Sequence, residues 1–311
     1  MIDAGLPLKP VLFLLLAVLS AIFLLFWIRT ARKQKAESQD KQTTSGVPAF
    51  SHVAIGFVTN FFDTLGIGSF ATTTAAYKLL HLVRDEIIPG TMIVGHTLPV
   101  IAQAFIFINA VEVDPVMLVL LIIAALTGAW LGAGIVSSLP RRVIQLSMGI
   151  GLLLAATSLL MGQFGLFPAG GESLTLSTPR LLFALVMNFI FGALATAGIG
   201  NYAPCLVLFS LLGLHPRAIF PVMMGSGGFM GIVAGIRFLG KGRYDQRAAL
   251  GLLMGGIPAV LLAAFAVKSL SLGALRWMVL VVILYTSMSM LRSAYRDRQQ
   301  ARITPMVEEV S

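Results

Sequence analysis

Between Val11 and Ile28 the chain runs for 18 residues without a charge. As a helix that run measures roughly 27 Å, close to the hydrocarbon thickness of a bilayer. Six more long apolar runs follow, and only 11% of the chain is charged, against about 25% in a soluble domain. Mean hydropathy is +0.91. In lipid every backbone N–H and C=O must be satisfied within the protein, and these runs far exceed the segments of a membrane barrel. The expectation is an all-α polytopic membrane protein.

Other classes fall away on composition. The single cysteine, Cys205, excludes an intrachain disulfide and a multi-cysteine metal site. The net charge of +9 does not point to nucleic acid, because the basic residues gather in a few short segments between apolar runs. The first run lacks the short core and small-residue cleavage site of a leader, so residues 1–28 read as a retained N-terminal transmembrane helix. Residues 29–49 then form a basic linker, expected to be flexible and cytoplasmic.

Two places interrupt the apolar pattern in the same way. "LGIGSFATTT" spans Leu65–Thr74 and "AGIGNYAPC" spans Ala197–Cys205. Gly66 falls on Gly198 at an offset of 198 − 66 = 132. The same offset pairs Phe57 with Phe189, Phe70 with Tyr202, Pro89 with Pro221 and Gly95 with Gly227. After a one-residue loss, Leu139 aligns with Leu270. Two copies are implied, 50–163 and 182–292, joined by an external loop at 164–181 and followed by a cytoplasmic tail at 293–311. Each copy reads as two short segments around GIG (53–65 and 69–82; 185–197 and 201–214), then three long ones. The long ones are 87–110, 116–138 and 142–162, then 217–239, 247–267 and 273–291.

Charge decides how the short segments run. If each pair is a hairpin, the linker, Arg84, Arg141-Arg142, Arg237–Arg247 and the tail all fall inside. The loop 163–179, without Lys or Arg, falls outside. Treating each pair as a single broken span puts Arg141-Arg142 outside. Lys268 and Arg276 are the exceptions to the hairpin reading. About 13 residues per short segment give roughly 20 Å, too short for a full crossing, so re-entrant hairpins are expected. Three full spans per copy is an odd number. The copies therefore run in opposite senses, with the N-terminus outside, the C-terminus cytoplasmic and the GIG tips meeting near the midplane of the inner (plasma) membrane.

The paired apolar–GIG–apolar segments resemble the signature of the TauE/SafE sulfite exporter family of permeases. The resemblance covers most of residues 50–292. It implies a secondary transporter, an exporter, of sulfite, sulfonates or related small organic anions. That family usually continues GIG with further glycines, where this chain has Ser69-Phe70 and Asn201-Tyr202.

The chemistry of the breaks suits an anion. Glycine permits positive φ and close backbone approach. Ser69 and Asn201 are expected as N-caps of the helices that follow. A helix N-terminus carries about half a positive charge and free N–H donors, so two facing ends would hold an anion without Lys or Arg. The expected substrate-binding residues are Gly66, Gly68, Ser69, Thr72, Thr73, Gly198, Gly200, Asn201 and Cys205. The threonines add hydroxyls whose counterparts are Pro204 and Cys205, so the site is asymmetric. Asp63 and His96 occur only in the first copy and are candidate proton-coupling or gating groups, with Asn60 beside them. Asn60 and Asn188 are candidate partners for Asp63. Gln103 is assigned to a contact with a neighbouring helix, as are the GxxxG patterns at Gly128, Gly227, Gly231 and Gly251.

The expected partners are a small anion, the bilayer and a coupling proton or sodium ion, with no nucleic acid, metal or cofactor. An enzyme is not expected. "MGSGG" around Ser226 lacks the glycine two residues before the serine, and the four histidines are scattered. A membrane scaffold without transport is the competing reading. The topology is testable by cysteine labelling. Cysteines at Ser138 and Gly242 should label only from the cytoplasm, and one at Asp114 only from outside. Labelling of Ser138 and Asp114 from one side contradicts the hairpin arrangement.

Overall fold

The structure, a computed structural model, describes residues 8–37, 49–65, 67–166, 170–266, 277, 280–281 and 283–296. It is almost entirely helical; an isolated bridge between Ser173 and Leu214 is the exception among these residues. The helices are α1 (Leu8–Glu37), α2 (Phe50–Thr64), α3 (Ser69–Leu79), α4 (Ile88–Ala110), α5 (Pro115–Val136) and α6 (Arg141–Gln163). They continue with α7 (Thr178–Ala195), α8 (Tyr202–Leu211), α9 (Pro216–Lys241), α10 (Gln246–Ala266) and α11 (283–296). Seven described helices are long and apolar enough to cross a membrane: α1, α4, α5, α6, α7, α9 and α10.

That set differs from the expected one in two respects. α7 has 18 residues, roughly 27 Å, and qualifies as a span where a 13-residue limb was expected. Pro179 at its first turn starts the helix early, because proline is preorganised for that position. The expected segment 273–291 begins outside the described residues, as do Lys268 and Arg276. The linker is also corrected. Helix α1 continues to Glu37, so residues 29–37 are helical rather than flexible. Arg, Ala, Lys, Gln and Glu there are strong helix formers, and nothing breaks the run.

The packing partners exchange under the sequence offset. α2 lies along α10 as α7 lies along α5, and α4 crosses α9 between them. Individual contacts follow. Gly56 of α2 abuts Leu252 of α10, and Asn188 of α7 donates its amide to the Leu121 carbonyl of α5 at 2.7 Å. Asn60 abuts Gly256, and Gly192 abuts the Ala125 carbonyl. The first position of each pair shifts by 132 (56 to 188, 60 to 192). The second shifts by 131 (121 to 252, 125 to 256), which is the lost residue.

These crossings are tight because they are built on missing side chains. A Cβ at Gly255 would collide with the Val53 carbonyl, and one at Gly128 with the Phe189 carbonyl. Close backbone approach of this kind is how helices gain van der Waals contact in lipid, where burying apolar surface gives no advantage. The outer surface is correspondingly apolar. Leu14, Leu15, Val18, Ile22, Leu25 and Ile28 of α1 are all exposed. On its inner face, α1 is pinned where Trp27 Nε1 donates to Gln246 Oε1 at 2.8 Å. Gly255→Val should therefore lower stability by about 1–3 kcal/mol through overpacking, read as a lower melting temperature of the detergent-solubilised protein. An unchanged melting temperature contradicts the close α2–α10 crossing.

Candidate functional site

Both helix breaks are formed by glycine geometry, but not at equivalent residues. Gly68 takes φ +86° in the first break and Gly198 takes φ +87° in the second. At the 132 offset Gly68 corresponds to Gly200, which is not in the positive-φ region. Gly66 lies outside the described residues. The isoleucine between each glycine pair is buried and anchors its break on α6. Ile199 packs on Gly151, and Ile67 belongs to one buried cluster with Ile144, Met148 and Leu152. The breaks also touch, since a Cβ on Gly200 would lie 3.5 Å from the Phe70 Cβ.

A single cavity of about 760 Å³ lies between them. Gly68, Ser69, Gly198, Gly200 and Asn201 line it, with Asp63 and His96 on the first-copy side. Helices α4, α6 and α9 supply much of its largely apolar wall through residues such as Thr97, Leu152 and Gly231, joined by Ala129 of α5, Phe191 of α7 and Leu206 of α8. Thr72, Thr73, Cys205 and Asn60 do not line it. The Thr72 hydroxyl is turned back onto the carbonyls of Gly68 and Ser69. Cys205 is fully buried and donates to Asn188 Oδ1 at 3.5 Å.

The two breaks differ electrostatically. Gly68, not Ser69, occupies the N-cap position of α3, and Ser69 is the first helical residue. The capping acceptor comes from α2. Asp63 Oδ1 accepts the Ser69 N–H at 2.7 Å, and Oδ2 accepts from Gln103 Nε2 at 3.0 Å. Gln103 also donates to Thr64 Oγ1 at 3.0 Å. A carboxylate in the membrane interior costs on the order of 3 kcal/mol, and a helix N-terminus is where it is best compensated. Asp63 is thus a built-in acceptor at the α3 end. Its partner is Gln103, not Asn60 or Asn188.

The second break has no such group. The residue 132 positions after Asp63 is Ala195. Asn201 is the N-cap of α8, but its side chain makes no cap bond. Its Nδ2 is buried without an acceptor. The α8 end therefore presents a spare amide donor to the cavity.

His96 is held on both sides. Asn60 Nδ2 donates to the Gly56 carbonyl at 2.7 Å, which turns its Oδ1 toward His96 Nδ1 at 3.1 Å. Nε2 lies 3.0 Å from Thr73 Oγ1. The bonds close when Nδ1 carries the hydrogen and Nε2 accepts from Thr73. Ser226, by contrast, is fully buried and accepts from Asn188 at 3.2 Å, a helix-to-helix bond. The α6 wall was not foreseen in the sequence. Its only signal is glycine at 149 and 151 on an otherwise ordinary apolar helix.

The Sulfite exporter TauE/SafE family matches residues 2–161, just over half of the chain. The chain belongs to this family. No curated protein and no solved structure matches it significantly. Family membership makes it a multi-pass membrane permease of the sulfite-exporter type, and the apolar helices agree.

The cap geometry makes a stability prediction. Asp63→Ala removes two hydrogen bonds to a charged acceptor and should cost about 1.5–3 kcal/mol. Asp63→Asn keeps an oxygen for the Ser69 N–H, and rotation of the Gln103 amide lets its unpartnered Oε1 accept from the new amide. It should cost under about 1 kcal/mol. Thermal unfolding of both variants measures the difference; equal losses contradict the capping role.

Proposed function

We propose that this permease exports sulfite, a sulfonate or a related small organic anion by secondary transport. The anion sits in the cavity between the two helix breaks. The observation that carries this reading is that both GIG segments, 132 residues apart, line one cavity. Irregular backbone at membrane depth is costly unless it lines a site. A scaffold needs no such breaks, and nothing at them has the arrangement of an enzyme.

The two copies are inverted repeats, each a broken helical hairpin followed by three spans, the first hairpin re-entrant and the second entered by the span-length α7. The exchange of packing partners between copies supports this. The anion binds at the α8 end, where Asn201 Nδ2 supplies a donor and the helix N-terminus its partial positive charge. Ser69, Gly68 and Gly200 complete the floor, while Thr72, Thr73 and Cys205 shape it from behind.

Asp63 is the coupling group and His96, with Asn60, the gating group. When Asp63 is ionised it satisfies the α3 N-terminus itself. A proton on Asp63 removes that charge and leaves the α3 end to act on the substrate alongside α8. Proton and anion then favour each other's binding, as linkage requires. A sodium ion is the alternative driver. The protein sits in the plasma membrane with its C-terminus cytoplasmic.

Flux of radiolabelled sulfite and sulfonates in proteoliposomes, with imposed pH or sodium gradients, tests this. Asp63→Asn should abolish stimulation by a pH gradient while anion binding stays measurable. Wild-type pH dependence in that variant assigns Asp63 to structure alone. Gly198→Val should weaken anion binding at least about tenfold, because a β-branched residue is strained at positive φ. Asn201→Ala should cost about 0.5–2 kcal/mol. Normal binding by Gly198→Val and Gly68→Val together places the site elsewhere.

A further inference from the structure

The cavity wall on α9 follows a helical stripe: Met223, Gly227, Met230, Gly231 and Ala234. At this spacing the next position on the same face is Arg237, roughly 4.5 Å along the helix beyond Ala234. Its guanidinium lies over the Trp130 ring of α5, with Cζ 3.9 Å from the centroid. Ala129, next to Trp130, also lines the cavity. Arg237 is half-buried, and its Nε is buried without an acceptor. Among the described residues no carboxylate lies within 4 Å of it.

An arginine near the membrane interior is normally paired with an acid or with backbone carbonyls. Here an aromatic face supports the cation without neutralising it, and the planar donors stay available. Guanidinium donors match the oxygens of a sulfite, sulfonate or phosphate group. We propose that Arg237, held on Trp130, is a second oxyanion site at the cytoplasmic mouth of the cavity, where it recruits the substrate before it reaches the helix breaks. This rests on the transport reading above. It adds a function for a residue outside the breaks, at the end that charge asymmetry assigns to the cytoplasm.

The oxyanion has two sources, the aqueous substrate or a lipid headgroup phosphate, and the site as proposed takes the first. The test is initial-rate uptake of sulfite and methanesulfonate into vesicles with the cytoplasmic face outward. The full-length chain is used, in zwitterionic lipid with and without phosphatidylglycerol. Arg237→Gln should raise KM about tenfold with kcat within about twofold. Arg237→Lys keeps the charge but loses the planar fork stacked on Trp130, and should give a KM between those of wild type and Arg237→Gln. Trp130→Leu leaves the cation unsupported and should give an intermediate KM. Raising salt from about 50 to about 300 mM should raise the wild-type KM more than that of Arg237→Gln. Size-exclusion profiles confirm that each variant is folded.

An unchanged KM in Arg237→Gln overturns the recruiting site while leaving the transport reading intact. So does a KM in Arg237→Lys as high as or higher than that of Arg237→Gln. An effect confined to phosphatidylglycerol vesicles assigns Arg237 to a lipid headgroup and also overturns it. Wild-type vesicles that take up neither anion overturn both readings.

Discussion

A helix that ends inside a membrane leaves its first N–H groups without partners, and no water is present to take them. The rest of this structure follows from how that deficit is met at two places. At the first break Asp63 reaches forward six residues to accept the Ser69 N–H. At the second the corresponding position is Ala195, and the Asn201 amide, without an acceptor, lines a cavity. The first break is capped by a carboxylate and the second is not. This difference converts a repeated fold into an asymmetric site.

Other parts of the fold serve to hold the breaks in place. α6 fixes both isoleucines, so the two turns cannot drift apart without losing buried contacts. α4 carries His96 and Gln103 to the first break, one bonded to Asn60 and Thr73, the other to Asp63 and Thr64. The glycine-based crossings of α2 on α10 and α7 on α5 set how close the two halves come. A cavity mostly lined by apolar groups follows, with its few polar groups concentrated at helix ends. Such a site strengthens electrostatic interactions with an anion, because little water competes.

Much of this was legible in the sequence. Charge-free runs gave the helices, with α4, α5, α6, α9 and α10 within two residues of their expected ends. The GIG pair gave the breaks, because glycine flanked by apolar residues has few other uses at that depth. What stayed hidden depends on three-dimensional neighbours. Ser69 reads as a cap by residue type, yet Asp63 supplies the bond through a turn whose path the sequence does not specify. Thr72, Thr73 and Cys205 read as site residues by proximity, but helix rotation turns them away from the cavity. Arg237 reads as one more cytoplasmic charge, and only its position beside Trp130 sets it apart. α7 was read too short because apolar counting ignored the Thr178-Pro179 start.

The central claim is that an anion occupies the cavity at the α8 end. Anomalous diffraction from crystals soaked with selenite, a heavier relative of sulfite, locates such an anion directly. The account predicts a selenium peak within hydrogen-bonding reach of Asn201 Nδ2 at the N-terminal end of α8, absent from Gly198→Val crystals. A peak outside the cavity, or one that survives unchanged in Gly198→Val, contradicts it.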